Sequence, residues 1–397
     1  MAFSKNRHVD KKLSLMRVIG PVNLVMSLFG LLSYSLKSTR NGGVVINTKS
    51  IYFNSLRGVS VLILIYTFFV LHVHDVFTAT ESNTMTKNVL TKLNYMIELT
   101  NFLVFCTVAY ICAFRNRFTY AKLLNAIASS CNNFPDLIKN TIFRDLQGHV
   151  RLIMCLLCLY SVMQLAVNFS RNNSVWKMIL VALTFNLPQI IQSAVISFYC
   201  VLLFALSTIL KNIDANIRDI ANVKTMFSGC LKLEMIPFSL RQLEVVYVKV
   251  LEIKREINRA LEACLLVIIF QCFHAMVSEA YIIFDGLTIN AAFDTHNICN
   301  CSIWVIYQVM KIYAITYPGT LLKEEQNKIS CSLYNIPVAQ QDTRLFLEIQ
   351  HFSTLMSHQT TELSVYGHFV LDAQLMFNII ASASIYLTIL LNFEKQS

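Results

Sequence analysis

The sequence predicts an all-α membrane protein with seven transmembrane helices, and three observations carry that prediction. Hydrophobic residues make up 55% of the chain and charged residues only 14%, against about 25% charged in a soluble globular protein. The apolar residues gather into runs of the roughly 20 that a helix needs to cross a bilayer. Gly and Pro number only 10 and 6, too few for a disordered or loop-rich chain.

In chain order the runs are Val59–Val73 extended to Phe77, Leu93–Phe114, Leu152–Phe169, Met178–Leu210, Ala263–Phe284, Ile303–Leu321 and Ala373–Phe393. The third, fourth and seventh contain no charged residue, and Lys311 interrupts the sixth. The fourth has 33 residues, about 50 Å of helix, so it must tilt, bend at Pro188 or project from the membrane. An eighth stretch, Leu13–Leu36, carries Arg17 and Pro21 and reads as an interfacial or packed helix. No small-residue cleavage site follows the basic start, so it is not a removed signal peptide.

Sidedness follows from Lys and Arg. The segments before the first run and between the second and third, fourth and fifth, and sixth and seventh carry 27 of them; the other four carry 5. This predicts a cytosolic N-terminus and an extracellular C-terminus. The glycosylation sequons at Asn168, Asn172 and Asn300 fall in or beside the segments assigned outside. The orientation is opposite to that of a G-protein-coupled receptor, and no Asn-Pro pair exists to build that superfamily's seventh-helix motif.

The expected organisation is a cytosolic segment with an interfacial helix over 1–58, four spans over 59–210, a cytosolic helical anchor over 211–262, spans five and six over 263–321, a second anchor segment over 322–372, and the last helix with a short tail over 373–397. No outside loop exceeds 19 residues, so an external ligand must bind within the helices. Leu243, Val246, Val250, Ile253 and Ile257 repeat at 3,4 spacing, a heptad seam, on a helix expected to run straight into the fifth span. Lys249, Glu252, Lys254, Arg255 and Glu256 occupy mostly its other face. Arg344–His358 reads as a second helix, with Leu345, Phe346, Ile349, Phe352 and Met356 on an apolar face. The two either join subunits or form a packing layer within one.

No enzyme signature is present: there is no phosphate loop, no zinc-ligand His pair and no nucleophile elbow, so no catalysis, metal or cofactor is expected. The net charge of +10 reflects cytosolic segments facing anionic membrane lipid, and nucleic-acid binding has no support. Acidic groups within spans are costly and mark functional candidates. Glu98 lies in the outer half of the second span with Tyr95 and Asn101; Glu279 lies in the outer half of the fifth with His274 and Ser278. No basic residue in the outer half pairs with either. They line a ligand cavity, bond neighbouring helices, or are protonated. At the same depth stand Gln164, Asn186, Gln189, Trp304, Tyr307 and Gln308, the mix of aromatic and amide groups that small-molecule pockets use, each of which is also compatible with simple packing. The seventh run carries Gln374, Asn378, Ser382, Tyr386, Ile389 and Phe393 as one stripe, suited to lining a pore between subunits or to hydrogen bonding within one bundle. Asp372 before it either caps the helix or forms an acidic ring where cations enter.

The chain's end, Ile385-Tyr386-Leu387-Thr388-Ile389-Leu390-Leu391-Asn392-Phe393, resembles the Thr-Tyr-(five mostly apolar)-Gln-Phe signature of insect gustatory receptors. So do the lead-in Tyr366-Gly367-His368-Phe369-Val370-Leu371-Asp372 and Glu256-Ile257-Asn258 at the entrance to the fifth span. Ile385 replaces the usual Thr, and Asn392 replaces Gln with a side chain one methylene shorter. Insect odorant receptors are the sister possibility, and the Tyr-x5-Asn-Phe ending fits gustatory receptors better. The resemblance implies a gustatory/odorant-receptor-like channel fold and a tastant-gated cation channel in the plasma membrane of sensory neurons. It implies a homotetramer, or a heteromer with related subunits, with a pore lined by four seventh helices. Asn392 and Phe393 would stand at the outer gate with Tyr386 supporting the helix. The ligand is a sugar or a plant secondary compound, and Glu98 and Glu279 tilt the expectation towards a polyhydroxyl or cationic one. A metabotropic receptor or co-receptor subunit is the alternative class. A transporter would show internal repeats or paired broken helices, and neither is found.

Overall fold

The computed structural model describes residues 14–32, 35–38, 44–47, 51–78, 89–171, 174–226, 239–288, 295–337, 343–359 and 362–394, with side chains of the last helix described as far as Ile389. The elements in chain order are α1 (Leu15–Leu28), the hairpin β1 (Ser35–Ser38) and β2 (Val44–Asn47), α2 (Ile51–Thr78), α3 (Val89–Arg115), α4 (Arg117–Asn132), α5 (Asp136–Arg171), α6 (Val175–Val181), a π-helical turn (Ala182–Asn186), α7 (Leu187–Met226), α8 (Leu240–Thr288), α9 (Thr295–Tyr334), α10 (Thr343–His358), the short hairpin β3 (Ser364–Val365) and β4 (Phe369–Val370), and α11 (Ala373–Glu394). Each of the seven apolar runs is helical. Among the described residues six helices are long and apolar enough to cross a membrane, and α11, with 22 residues, carries the seventh run.

Several helices run well past their apolar stretches at one end of the molecule. α8 has 49 residues, about 74 Å, and passes without a break from the seam into the fifth apolar run, as expected. α5, α7 and α9, with 36, 40 and 40 residues, also extend to this long-helix end, where α4 and α10 pack. The opposite end holds only short connections.

Lipid and core are divided unequally among the spans. In an apolar 18-residue window of the α6–α7 segment 94% of residues are buried inside the protein, against 17% and 22% for the corresponding windows of α2 and α5. The fourth run is thus the central post. Exposed Val59, Ile63 and Val70 on α2 and Leu152, Leu159 and Val162 on α5 form apolar outer faces of the kind that lipid covers.

Several expectations are corrected. The first helix ends at Leu28, not Leu36, because Gly30 turns with φ +71° and packs backbone to backbone on Gly58: a Cβ at Gly30 would lie 2.4 Å from Gly58 N. Leu15, Val18, Ile19, Val22 and Met26 are buried, so α1 is packed against the bundle. α4 was not expected at all; its Tyr120, Leu124, Ile127 and Cys131 are buried. The seam residues Leu243, Val246, Val250, Ile253 and Ile257 are 0–3% exposed within the single chain. They form an internal packing layer, not a free surface that joins subunits. Lys254, expected on the polar face, is buried as well, and Phe346 of α10 is exposed where burial was expected; Phe352 and Met356 are buried. In the fourth run the irregularity precedes Pro188. The proline has no N–H to offer the preceding turn, and the backbone takes a π-helical course over Ala182–Asn186.

Polar ties fix the long-helix end. Asp214 on α7 accepts from Ser332 on α9 at 2.6 Å and pairs with Arg218 at 2.9 Å. His351 on α10 meets Glu244 on α8 at 2.8 Å, and Asn258 Nδ2 donates to Ser364 O at 2.6 Å. The lead-in to α11 is the β3–β4 hairpin, turned by Tyr366 and Gly367 at φ 49° and 73°.

Candidate functional site

Near the short-loop end the predicted polar residues of α3, α5, α7 and α9 come together. Trp304 on α9 donates from Nε1 towards Glu98 Oε1 on α3 at 3.5 Å. Gln164 Nε2 on α5 donates to Gln189 Oε1 on α7, and Asn168 Nδ2 to Asn186 Oδ1. Tyr307 shares a hydrogen bond with Ser193 Oγ at 3.1 Å, and its ring lies 5.7 Å from Trp304 and 5.4 Å from Tyr160. A cavity of about 100 Å³ lies between α5 and α9, walled by Tyr160, Met163, Gln164 and Val167 on one side and Ile303, Trp304, Ile306 and Tyr307 on the other.

A second constellation adjoins it. The π-helical turn presents Phe185 to Tyr95, Phe102 and His72, at ring distances of 5.2, 5.5 and 5.9 Å. His72 on α2 bonds Thr184 Oγ1 through Nδ1 and Tyr95 OH through Nε2, both at 2.7 Å. The Thr184 hydroxyl proton is committed to Leu180 O at 2.7 Å. Thr184 therefore accepts from His72 Nδ1–H, and Nε2 faces the Tyr95 hydroxyl.

Not every predicted residue joins this site. Asn101 is half-buried on α3, and Gln308 is fully buried on α9, yet neither walls the cavity. Ser278 and Glu279 are buried on α8 and His274 is half-buried; they also lie outside its walls. Lys311, within the sixth apolar run, lies in electrostatic reach of Glu98. The sequence reading also missed His72, Tyr160, Gln192, Gln271 and Lys311. Gln192 and Ser193 continue the i, i+3 spacing of Asn186 and Gln189, and Lys311 stood out as the charge within an apolar run, so signals existed for them.

Asn168 is buried with its amide nitrogen engaged, and Asn300 is buried too; neither is available to a glycan in this structure. Asn172 lies outside the described residues. Asp372 caps α11: Oδ1 accepts from the backbone N–H of Gln374 at 3.1 Å and of Leu375 at 3.2 Å. Gln374, Asn378, Ser382, Tyr386 and Ile389 are all exposed on one chain, while Leu375 and Ile379 hold α11 to the bundle. Tyr386 reaches Phe273 on α8 at 6.3 Å. Asn392 and Phe393 are helical, and their side chains lie beyond those described.

A larger cavity of about 460 Å³ lies at the long-helix end. Lys254, Arg255 and Arg259 line it together with Glu256 and Glu262 of the same helix and with Glu362, a balanced set without aromatic walls, and the smaller cavity fits an organic ligand better.

Residues 19–397 match the profile of the 7tm chemosensory receptor family. No curated protein matches the sequence. In fold the chain is similar to the insect olfactory receptor OR5 from Machilis hrabei, with a TM-score of 0.70 at 12% identity over 95% of this chain and 98% of that one. Against the same receptor in complex with eugenol the TM-score is 0.72 at 12% identity, over 96% and 98%.

Proposed function

The chain belongs to the 7tm chemosensory receptor family, and on that premise we propose that it is a ligand-gated, non-selective cation channel whose ligand binds in the cavity between α5 and α9. The observation that carries the reading is the pairing of a partly open, aromatic-walled cavity with a terminal helix whose polar stripe is exposed on its own subunit. A stripe of Gln374, Asn378, Ser382 and Tyr386 has no use against lipid. Four such stripes around an axis make a wet pore, so the unit is a homotetramer, or a heteromer with related subunits. Asn392 and Phe393 gate it, and Asp372 faces the entering cations while capping its helix.

The charge asymmetry supports an extracellular short-loop end, and with it an extracellular cavity, and the family resemblance supports the plasma membrane of a sensory neuron. The C-terminal motif supports a gustatory receptor with a small-molecule tastant, a sugar or plant compound. The likeness to an olfactory receptor solved with eugenol supports an odorant-type ligand as the second reading.

Excised-patch recording from cells expressing this chain alone tests the proposal. Ligand-evoked unitary cation currents in the absence of cytosol are expected when mixed tastants and odorants reach the outer face. Currents that appear only in intact cells and require a G protein would replace the channel with a metabotropic receptor.

A further inference from the structure

A buried cation stands behind the cavity wall. Lys311 on α9 is 4% exposed. Its Nζ donates to Gln192 Oε1 on α7 at 2.9 Å and to Gln271 Oε1 on α8 at 3.0 Å, and lies 4.9 Å from the centroid of the Tyr307 ring. An ammonium can only donate, so both carbonyl oxygens must face it and both amide NH2 groups must turn elsewhere. Neither Gln192 Nε2 nor Gln271 Nε2 has a hydrogen-bond partner, although both residues are buried. One turn along α7, Gln189 repeats the pattern: its Oε1 accepts from Gln164 of the cavity wall, and its Nε2 has no partner. Buried polar groups are nearly always satisfied. On Gln189, Gln192 and Gln271 the unsatisfied atoms are donors, and they run from the cavity wall to Lys311; Gln308 on α9 adds one unsatisfied donor and one unsatisfied acceptor.

We propose that this cluster receives the head group of the ligand and that the ligand is an organic acid with a short apolar tail. The inference rests on the reading of the α5–α9 cavity as the ligand site. A carboxylate brings two oxygens and several acceptor positions without a donor, and its charge complements Lys311. A polyol brings a donor with every acceptor and leaves the surplus standing. A cationic ligand meets Lys311 as a like charge. Trp304 Nε1 is turned to Glu98 Oε1 at 3.5 Å, and the acid's carboxylate competes with Glu98 for the Lys311 charge. Met163, Val167, Ile303 and Ile306 wall the cavity for the tail. Tyr307 is the partition, with its ring against the cavity on one side and Lys311 on the other, and the head group passes it by parting the Tyr307–Ser193 hydrogen bond.

The chain has two tryptophans, so the full-length Trp176→Phe variant in lipid nanodiscs leaves Trp304 as the sole tryptophan reporter in the cavity wall. It is titrated at neutral pH with sodium hexanoate, hexan-1-ol and hexylamine. Hexanoate is expected to bind more than about tenfold tighter than hexan-1-ol, the scale of a hydrogen bond to a charged group. Lys311→Met is expected to erase that preference and Lys311→Arg to retain part of it. Hexan-1-ol or hexylamine binding as tightly as hexanoate would overturn the acid assignment and leave the cavity as the ligand site. No response to any of the three would overturn both. The comparison of probes needs no change at Lys311, so it decides the matter even if those variants fail to fold.

Discussion

Gly319 on α9 and Leu371, just before α11, are in backbone contact: a Cβ on Gly319 would lie 2.3 Å from the Leu371 carbonyl oxygen. Beside them Thr320 Oγ1 accepts from Ala373 N at 3.2 Å, and Leu371 N donates to Leu363 O at 2.7 Å. The helix that walls the cavity at one end therefore seats the start of the stripe-bearing helix at the other. Any movement of α9 has a direct mechanical route to α11.

Gly319→Ala should separate the two, because a backbone oxygen cannot swing aside as a side chain can. The expected cost is about 1–3 kcal/mol, read as a lower melting temperature, with a changed spontaneous open probability. Gly148→Ala is the control: its Cβ would meet nothing within 4 Å, and it should stabilise α5 by up to about 1 kcal/mol. Equal melting of both variants would remove the Gly319 contact from the account.

At the mouth of the proposed pore, Asp372 combines a cap with a charge, and two substitutions part them. Asp372→Ala should cost about 1 kcal/mol through loss of the cap. Asp372→Asn keeps a good capping side chain and removes the charge, so it should melt like the parent chain while single-channel cation conductance falls. Unaltered conductance would leave Asp372 as a cap alone. Asn392→Ala should change leak current or open probability more than ligand affinity, and a pure shift in the dose response would move Asn392 out of the gate.

Glu98→Gln keeps the shape beside Trp304 but weakens the acceptor, and Glu279→Gln does the same on α8. Both should reach the cell surface. Glu98→Gln removes a charge of the same sign as the acidic ligand inferred above, so it should lower the half-maximal ligand concentration severalfold. Glu279, which lies outside the cavity walls, should shift it less. Parental dose responses for both would place neither at the ligand.

At the long-helix end, burial first, then the neighbouring Arg255, pulls the Lys254 ammonium down to about 8, with Glu362 opposing. An unfolded lysine keeps its proton up to about 10.4. Between these values the unfolded chain binds more protons, so folded stability must rise with pH across that window, and the penalty is complete below it. Lys254→Met should be the more stable protein at pH 7, and its melting temperature should lose this rise between pH 8 and 10. An unchanged slope would assign the rise to another group.

Sequence alone determined the seven apolar helices, their order, their membrane character and the terminal motif, because runs of about 20 apolar residues and short signatures are local properties, whereas it left α4 unseen. It could not say what covers each apolar face. Lipid is as apolar as a protein core, so the same run suits an outer helix such as α2 or a central post such as α6–α7. The heptad seam was legible as a seam, yet only tertiary packing gave it to the inside of one subunit. The site divides the same way. Glu98, Gln164, Gln189, Trp304 and Tyr307 were visible as costly polar groups in apolar runs. Their convergence, and the pairing of Lys311 with Gln192 and Gln271 across three helices, was decided by contacts between residues 40 to 119 positions apart, which no local pattern encodes.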